Sequence, residues 1–244
     1  MTVAATSIPA LSARSVALSV LLGVPDGSLP VRDILATGQM CDIAPATMRV
    51  ALSRLVSADE LSVRDGRYSL SPHHLERLRA QHRDIAPRHR PWDGTWETVV
   101  VVESGRDATD RARLRGELAA ARLAELREGV WMRPANLDRP MFSDPHTSTM
   151  LARPTDPERL VASLWNLADW AQRGREILHA SAGPELDGRR FAAITALVRH
   201  LRTDPALPAE LTPDDWPADD LRAAYDNYRA QLRIHHVHDE GELP

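Results

Sequence analysis

Apolar positions recur at helical spacing in three stretches near the start of the chain. Ser12 is placed to cap a helix that runs to about Leu22 and is stopped by Gly23. Val31 to Ala36 reads as a short second helix ending near Gly38. The third spans Pro45 to Ser57, with proline in the first turn, where a missing N–H is harmless. Leu61 to Leu70 then alternates around Asp65-Gly66, the strongest short hairpin signal, and a further helix follows Pro72. A two-residue turn there pairs Arg64 with Arg67, Val63 with Tyr68, Ser62 with Ser69 and Leu61 with Leu70. Leu61, Val63, Tyr68 and Leu70 then share one face, and the serines and arginines share the other.

The third helix is unusual on its outer side. At about 100° per residue, Met48, Ala51, Leu52, Leu55 and Val56 fall inward. The opposite face presents Ala46, Val50, Ser53 and Ser57, with Arg49 at one edge and Thr47 and Arg54 at the other. Small residues let a helix approach a groove floor, and the arginines reach phosphates or guanine edges. Arg64 and Arg67 at the hairpin tip are like charges set opposite each other, an arrangement that a phosphate between them would turn favourable. Thr47, Arg49, Val50, Ser53, Arg54, Arg64 and Arg67 are therefore the candidate DNA contacts of a winged helix-turn-helix. The alternative is an amphipathic helix and hairpin with ordinary solvated arginines.

Farther on, Thr98 to Val102 is apolar on both faces and predicts an internal strand. A helix over 108–122 turns Leu114, Leu118 and Ala121 inward; Gly129 to Arg133 predicts a strand stopped by Pro134, and Thr147 to Ala152 a third. The β-α-β order suggests a ferredoxin-like α/β domain. From Pro157 the pattern is helical: one long helix to Ala180 bearing Trp165, Leu167 and Trp170, then Arg189 to Leu201 and Asp219 to Leu232. The proline-rich stretch from Asp204 to Pro217 between the last two reads as an ordered loop. The expected class is α+β: a winged helix-turn-helix over residues 1–85, a ferredoxin-like domain over 92–155 and a mostly helical domain over 156–244. Ala86 to Pro91 is the expected linker.

Composition narrows the chemistry. The 244 residues are 43% hydrophobic and 26% charged, a globular mix that argues against wholesale disorder. All 30 basic residues are arginine, which removes every lysine-based mechanism, and no G-x-G-x-x-G or Walker segment occurs. No cofactor is expected. Residues 1–90 hold 11 arginines against 8 carboxylates, whereas residues 91–244 hold 19 against 26, which places a small basic module on an acidic body. No apolar run reaches membrane-spanning length, the first ten residues carry no secretory pattern, and Cys41 is the single cysteine, so a cytoplasmic protein is expected.

The chain resembles the PaaX family of phenylacetate-responsive bacterial repressors. The matching residues are Thr47 to Val56, Trp92-Asp93-Gly94-Thr95-Trp96, Gly129 to Pro134 and Leu164-Trp165-Asn166-Leu167. Most specific is Asp204-Pro205-Ala206-Leu207-Pro208 with Leu211, Pro213 and Asp215-Trp216-Pro217. Ala58-Asp59-Glu60 departs from the family, standing where a glycine-containing turn is usual. The resemblance implies a dimeric repressor of aromatic-acid catabolism genes that reads an inverted-repeat operator in double-stranded DNA. It also implies release by an aryl acyl-CoA such as phenylacetyl-CoA, and a central domain similar to small CRISPR-associated nucleases.

Candidates for the effector are Trp131, Trp165 or Trp216 against an aryl group, Arg199, His200 and Arg202 against phosphates, and Arg133 as a further ligand-binding residue. The rival enzymatic reading is a metal-dependent nuclease centred on Glu103, and no metal site is expected otherwise. Cys41 reads as a small buried filler rather than a redox switch, His73-His74 as solvated, and His235, His236, His238, Asp239 and Glu240 as a terminal tail rather than metal ligands.

Overall fold

A computed structural model describes residues 8–102, 107–183, 185 and 187–240. Contacts divide the chain into two compact units that do not follow chain order. The first takes Met1–Ile85, Gly174–Leu201 and Ala218–Pro244, and the second Ala86–Arg173 and Arg202–Pro217.

The first unit opens with α1 (Ala13–Gly23), β1 (Ser28–Pro30), α2 (Val31–Met40) and α3 (Pro45–Ser57). The hairpin β2 (Leu61–Arg64) and β3 (Arg67–Leu70) and the helix α4 (Pro72–Ile85) follow. Ser12 caps α1, its Oγ accepting the Ser15 N–H at 3.2 Å. α2 runs past the expected stop at Gly38 to Met40, because Gly38 is needed inside the helix. A Cβ there would lie 2.7 Å from Met48 Cε of α3. The hairpin has the expected register, Leu61↔Leu70 through Arg64↔Arg67, turning on Asp65 and Gly66 at φ 51° and 72°. β1, too short and proline-ended to show in the pattern, adds antiparallel to β3. Helices α1–α3 and the sheet β1-β3-β2 have the element order of a winged helix. Val16, Leu21, Ile34, Met48 and Leu52 are wholly buried.

Asp59 explains the missing glycine after α3. It takes φ 55° itself, a left-handed conformation that aspartate tolerates better than most residues. His74 corrects an expectation, being buried rather than solvated. Ser71 Oγ lies 3.2 Å from its Nδ1 and Glu60 Oε2 3.4 Å from its Nε2.

The rest of this unit is the later part of α7 (Leu167–Ser181) with α8 (Gly188–Leu201) and α9 (Ala218–Glu240). α8 packs on α9, and Arg190, itself buried, lies 5.5 Å from the Tyr228 ring. The start of α8 meets the turn between α2 and α3. A Cβ on Gly188 would sit 2.4 Å from Met40 O and 2.8 Å from Cys41 Cα. Both are backbone atoms and cannot swing aside, unlike the flexible end of Met48 at Gly38. Gly188→Ala is therefore expected to lower stability by about 1–3 kcal/mol, seen as a fall in melting temperature by circular dichroism. An unchanged melting temperature would contradict that packing.

In the second unit β4 (Trp96–Val101), α5 (Ala108–Ala120), β5 (Ala124–Arg127), β6 (Val130–Pro134) and β7 (Thr147–Ala152) form an antiparallel sheet of order β5-β6-β4-β7 with one helix. That is ferredoxin-like strand order with the second crossover helix replaced by irregular chain over 135–146. β5 is a strand that the sequence pattern does not show. α5 covers one face of the sheet through Val99, Leu114, Leu118, Leu123 and Trp131. The other face buries Trp96 and Met132 with Val161, Leu207 and Leu211. These come from α6 (Pro157–Leu164) and the loop with its one 3-10 turn at Ala209–Leu211.

The single helix expected from Pro157 to Ala180 is two. Trp165 is extended, at φ −135° and ψ 138°, and Asn166 restarts the chain by accepting the Asp169 N–H at 3.2 Å. Trp165 turns instead toward Trp96, with ring centroids 6.3 Å apart. The expected linker is likewise built into the second unit. Arg90 N–H donates to Asn136 O at 2.8 Å and Asp138 N–H to Arg88 O at 2.9 Å.

Candidate nucleic-acid interface

α3 forms because its apolar residues fall on one stripe. Met48 and Leu52 are fully buried and Leu55 nearly so, while Ala51 and Val56 are half-buried. Ala46, Thr47, Arg49, Val50, Ser53, Arg54 and Ser57 are all exposed, Val50 at 52%. The helix carries two arginines and no carboxylate, so its free face is cationic along its whole length. Ser57 is partly committed, its Oγ donating to Ser53 O at 3.0 Å.

The hairpin adds Arg64, exposed, directly opposite Arg67, which is half-buried and engaged with other groups. Val63 lies on the core-side face of the hairpin yet is 47% exposed, because the core ends at Leu61 and Leu70. The surface can therefore offer guanidinium donors to phosphates or guanine edges, a threonine and a serine hydroxyl, and the Val50 side chain to a thymine methyl. Val63 beside the tip escaped sequence reasoning; its signal was its place one residue before an arginine-tipped turn.

Just ahead of α3, Cys41 is half-buried. Burial, then Asp42 and Asp187, push its thiol up to about 11, so it stays protonated at neutral pH and is a poor redox nucleophile.

The effector candidates are spread over both units. Arg199 and His200 belong to the first unit and Trp131, Arg133, Trp165 and Arg202 to the second. Trp131 is buried against α5, with Arg115 5.6 Å from its ring, whereas Trp165 packs on the other face of the sheet. Arg199 and Arg202 are exposed, and His200 and Arg202 already have partners. Trp165 also lines a groove of about 690 Å³ with Val161, Leu167 and Leu211. Glu158 and Glu210 stand on the same groove and disfavour the phosphates of an acyl-CoA.

Arg133 has a structural place. It is 0% exposed, donating from Nε to Pro134 O at 2.9 Å and from Nη2 to Asn136 Oδ1 at 2.9 Å and Ala206 O at 3.3 Å. Asn136 Nδ2 reaches the same Ala206 oxygen at 3.0 Å, and buried Asp204 accepts the Ala206 N–H at 3.0 Å. Ala206 takes φ 50° to present that carbonyl. Glu97, opposite Arg133 in the sheet, is clamped by both terminal nitrogens of Arg139 at 3.3 and 2.9 Å and accepts the Phe142 N–H. Burial above all, with Arg139 nearby, pushes the Arg133 pKa down to about 9, still charged at neutral pH. Sequence reasoning missed Glu97; the signal was one carboxylate next to a β-branched run.

The Trp92 to Trp96 segment is a turn. Thr95 donates from its N–H and hydroxyl to Asp93 Oδ1 at 3.0 and 2.6 Å, which holds the Asp93 carboxyl below its ordinary range. Trp92 Nε1 closes it on Thr95 O at 2.7 Å. Glu103, the carboxylate of the nuclease reading, lies outside the described residues, as do the side chains of His235, His236, His238, Asp239 and Glu240. Among the described residues no cluster of His, Cys, Asp and Glu has metal-site geometry, and no helix is long and apolar enough to cross a membrane.

Comparison with known proteins places this geometry in a family. No curated protein matches the chain. A solved structure that it resembles is the uncharacterized protein Rv0674 from Mycobacterium tuberculosis. The two are 41% identical with a TM-score of 0.79, the match covering 93% of this chain and 97% of that one. The PaaX protein central Cas2-like domain matches residues 89–143, which hold β4 to β6 and the Arg133–Asn136 pair. The PaaX-like protein C-terminal domain matches residues 168–236 and so contains the Asp204 to Pro217 loop bonded to that pair. With both domains found in order, the chain belongs to the PaaX family, whose members are commonly transcriptional regulators of phenylacetate catabolism.

Proposed function

We propose that this protein is a dimeric transcriptional repressor of aromatic-acid catabolism genes, acting in the cytoplasm on an inverted-repeat operator. α3 enters the major groove, with Arg49, Arg54 and Ser53 facing base edges or phosphates and Thr47 and Val50 on the groove floor. Arg64 and Arg67 on the hairpin touch the backbone or the adjacent minor groove. A two-fold dimer sets half-sites about one helical turn, or a multiple, apart. The effector is an aryl acyl-CoA such as phenylacetyl-CoA. It binds preferentially to a state whose two α3 helices no longer match the half-site spacing.

One observation carries this reading: the exposed face of α3 is built from small residues, edged by arginines and free of carboxylates. Its family and its net positive first 90 residues support the same direction. The test is a mobility-shift assay on the DNA upstream of the protein's own gene, with and without a panel of aryl-CoA thioesters. The expected result is a retarded complex that at least one thioester releases and free coenzyme A does not. A complex insensitive to every thioester would remove the effector while leaving the DNA reading; the absence of any complex would remove both.

A further inference from the structure

We propose that the groove between α7, α8 and α9 in the first unit binds a small organic monocarboxylate, held by the Arg190 guanidinium. The groove has a volume of about 460 Å³. Leu178, Ala182, Ala224 and Ala230 give it apolar walls, and among the described residues that line it Arg190 alone is charged. Arg190 is 8% exposed. Its Nε donates to Ser181 O at 3.0 Å and its Nη1 to Glu185 O at 3.4 Å, and the Tyr228 ring lies against the guanidinium. Among the described residues these are the partners of the side chain; none is a carboxylate, and Nη2 bonds nothing. Asp187, the carboxylate nearest in sequence, is turned to the backbone, its Oδ1 accepting the Arg190 N–H at 2.7 Å.

A buried cation without a counter-ion is costly, and proteins normally pair it, as Arg139 pairs with the buried Glu97 carboxylate at 2.9 Å. Carbonyl oxygens and an aromatic ring offset part of that cost and leave the charge uncancelled. A ligand carboxylate at Nη2 cancels it through a charge-assisted hydrogen bond in a site largely shielded from water. Ser181, Asn227 and Gln231 are the other polar side chains that line the groove, and all are neutral, so a second negative charge finds no cation there. That selects a monoanion with an apolar body over the phosphates of coenzyme A. The site lies on the helix that starts with Gly188 against the turn between α2 and α3. The inference goes beyond the DNA and thioester reading and is tested without either, so each can fail alone.

The test is isothermal titration calorimetry of the full chain with benzoate and with hexanoate, in a buffer free of carboxylates and phosphate. At least one acid should bind saturably. The matching amide, benzamide or hexanamide, and inorganic phosphate should each bind at least about tenfold more weakly. Arg190→Met keeps much of the stem and removes the charge, and should raise the dissociation constant of the acid at least about tenfold. Ala224→Leu fills the groove with Arg190 still in place and should do the same. Circular dichroism checks that each variant folds, and the amide comparison on the wild type decides the matter should a variant not fold. Failure of both acids to saturate would overturn the proposal. So would an amide or phosphate that binds as tightly as the acid, or a folded variant that binds the acid like the wild type.

Discussion

Arg133→Ala is expected to destabilise the second unit by about 3–5 kcal/mol, the largest stability effect of any single change considered for this chain. The side chain is wholly buried at the end of β6 and donates to three acceptors. Ala206 O keeps Asn136 Nδ2 after the change, but Pro134 O and Asn136 Oδ1 lose their donor, at about 1–3 kcal/mol each. The cavity left by the stem adds to that loss. One term opposes them: Arg139 lies close enough to repel Arg133, and its removal relieves that repulsion. Glu97, clamped by Arg139, keeps its own partner and limits the relief. The lost hydrogen bonds win. Urea unfolding followed by tryptophan fluorescence reads the result, since Trp96 and Trp131 lie in the affected sheet. A change below about 1 kcal/mol would show that Arg133 does not secure the Asp204 to Pro208 loop.

The second large effect concerns DNA. Arg49→Ala and Arg54→Ala are each expected to weaken operator binding by about 1–3 kcal/mol where the guanidinium reads a base, roughly 5- to 150-fold in affinity. A base-reading arginine also enforces one base pair, so discrimination at that position should relax. An arginine that meets only phosphate behaves differently, with sequence preference holding and the salt slope dropping by about one. Both side chains are exposed on a helix whose core face is separate, so neither change should move the melting temperature. Binding that is unchanged in both variants would contradict the placement of α3 against the duplex.

The first 70 residues were the most legible part of the chain. Pro45 to Ser57 and every pair of the hairpin follow from periodicity and from Asp-Gly, because local pattern and tertiary packing agree there. β1 was not legible, since three residues ending in proline have no alternation to display. β5 was hidden for a related reason, being four residues with a break in their register. The long helix from Pro157 failed at Trp165, where packing against Trp96 outweighs a helical pattern continuous through Leu164 and Leu167. Arg133 read in sequence only as an effector candidate, and Glu97 was not singled out. Arg133 bonds a loop 73 residues away in the chain, and Glu97 bonds Arg139 and Phe142, 42 and 45 residues away, which no local pattern reports. The exposed stripe of α3 was legible because such a stripe is a property of one helix. The effector candidates were gathered from distant segments and belong to different faces and units.

The account stands on α3 entering the major groove, and guanine methylation interference probes that groove directly, because the N7 atom of guanine lies there. Operator DNA sparsely methylated at N7 would be bound, separated from the free fraction and cleaved at the modified bases. The account predicts that methylated guanines are depleted from the bound fraction in two clusters, one per half-site and about one helical turn or a multiple apart. It also predicts that Arg49→Ala or Arg54→Ala erases part of that pattern in both clusters. A footprint without such depletion, or no salt-dependent DNA binding at all, would contradict it.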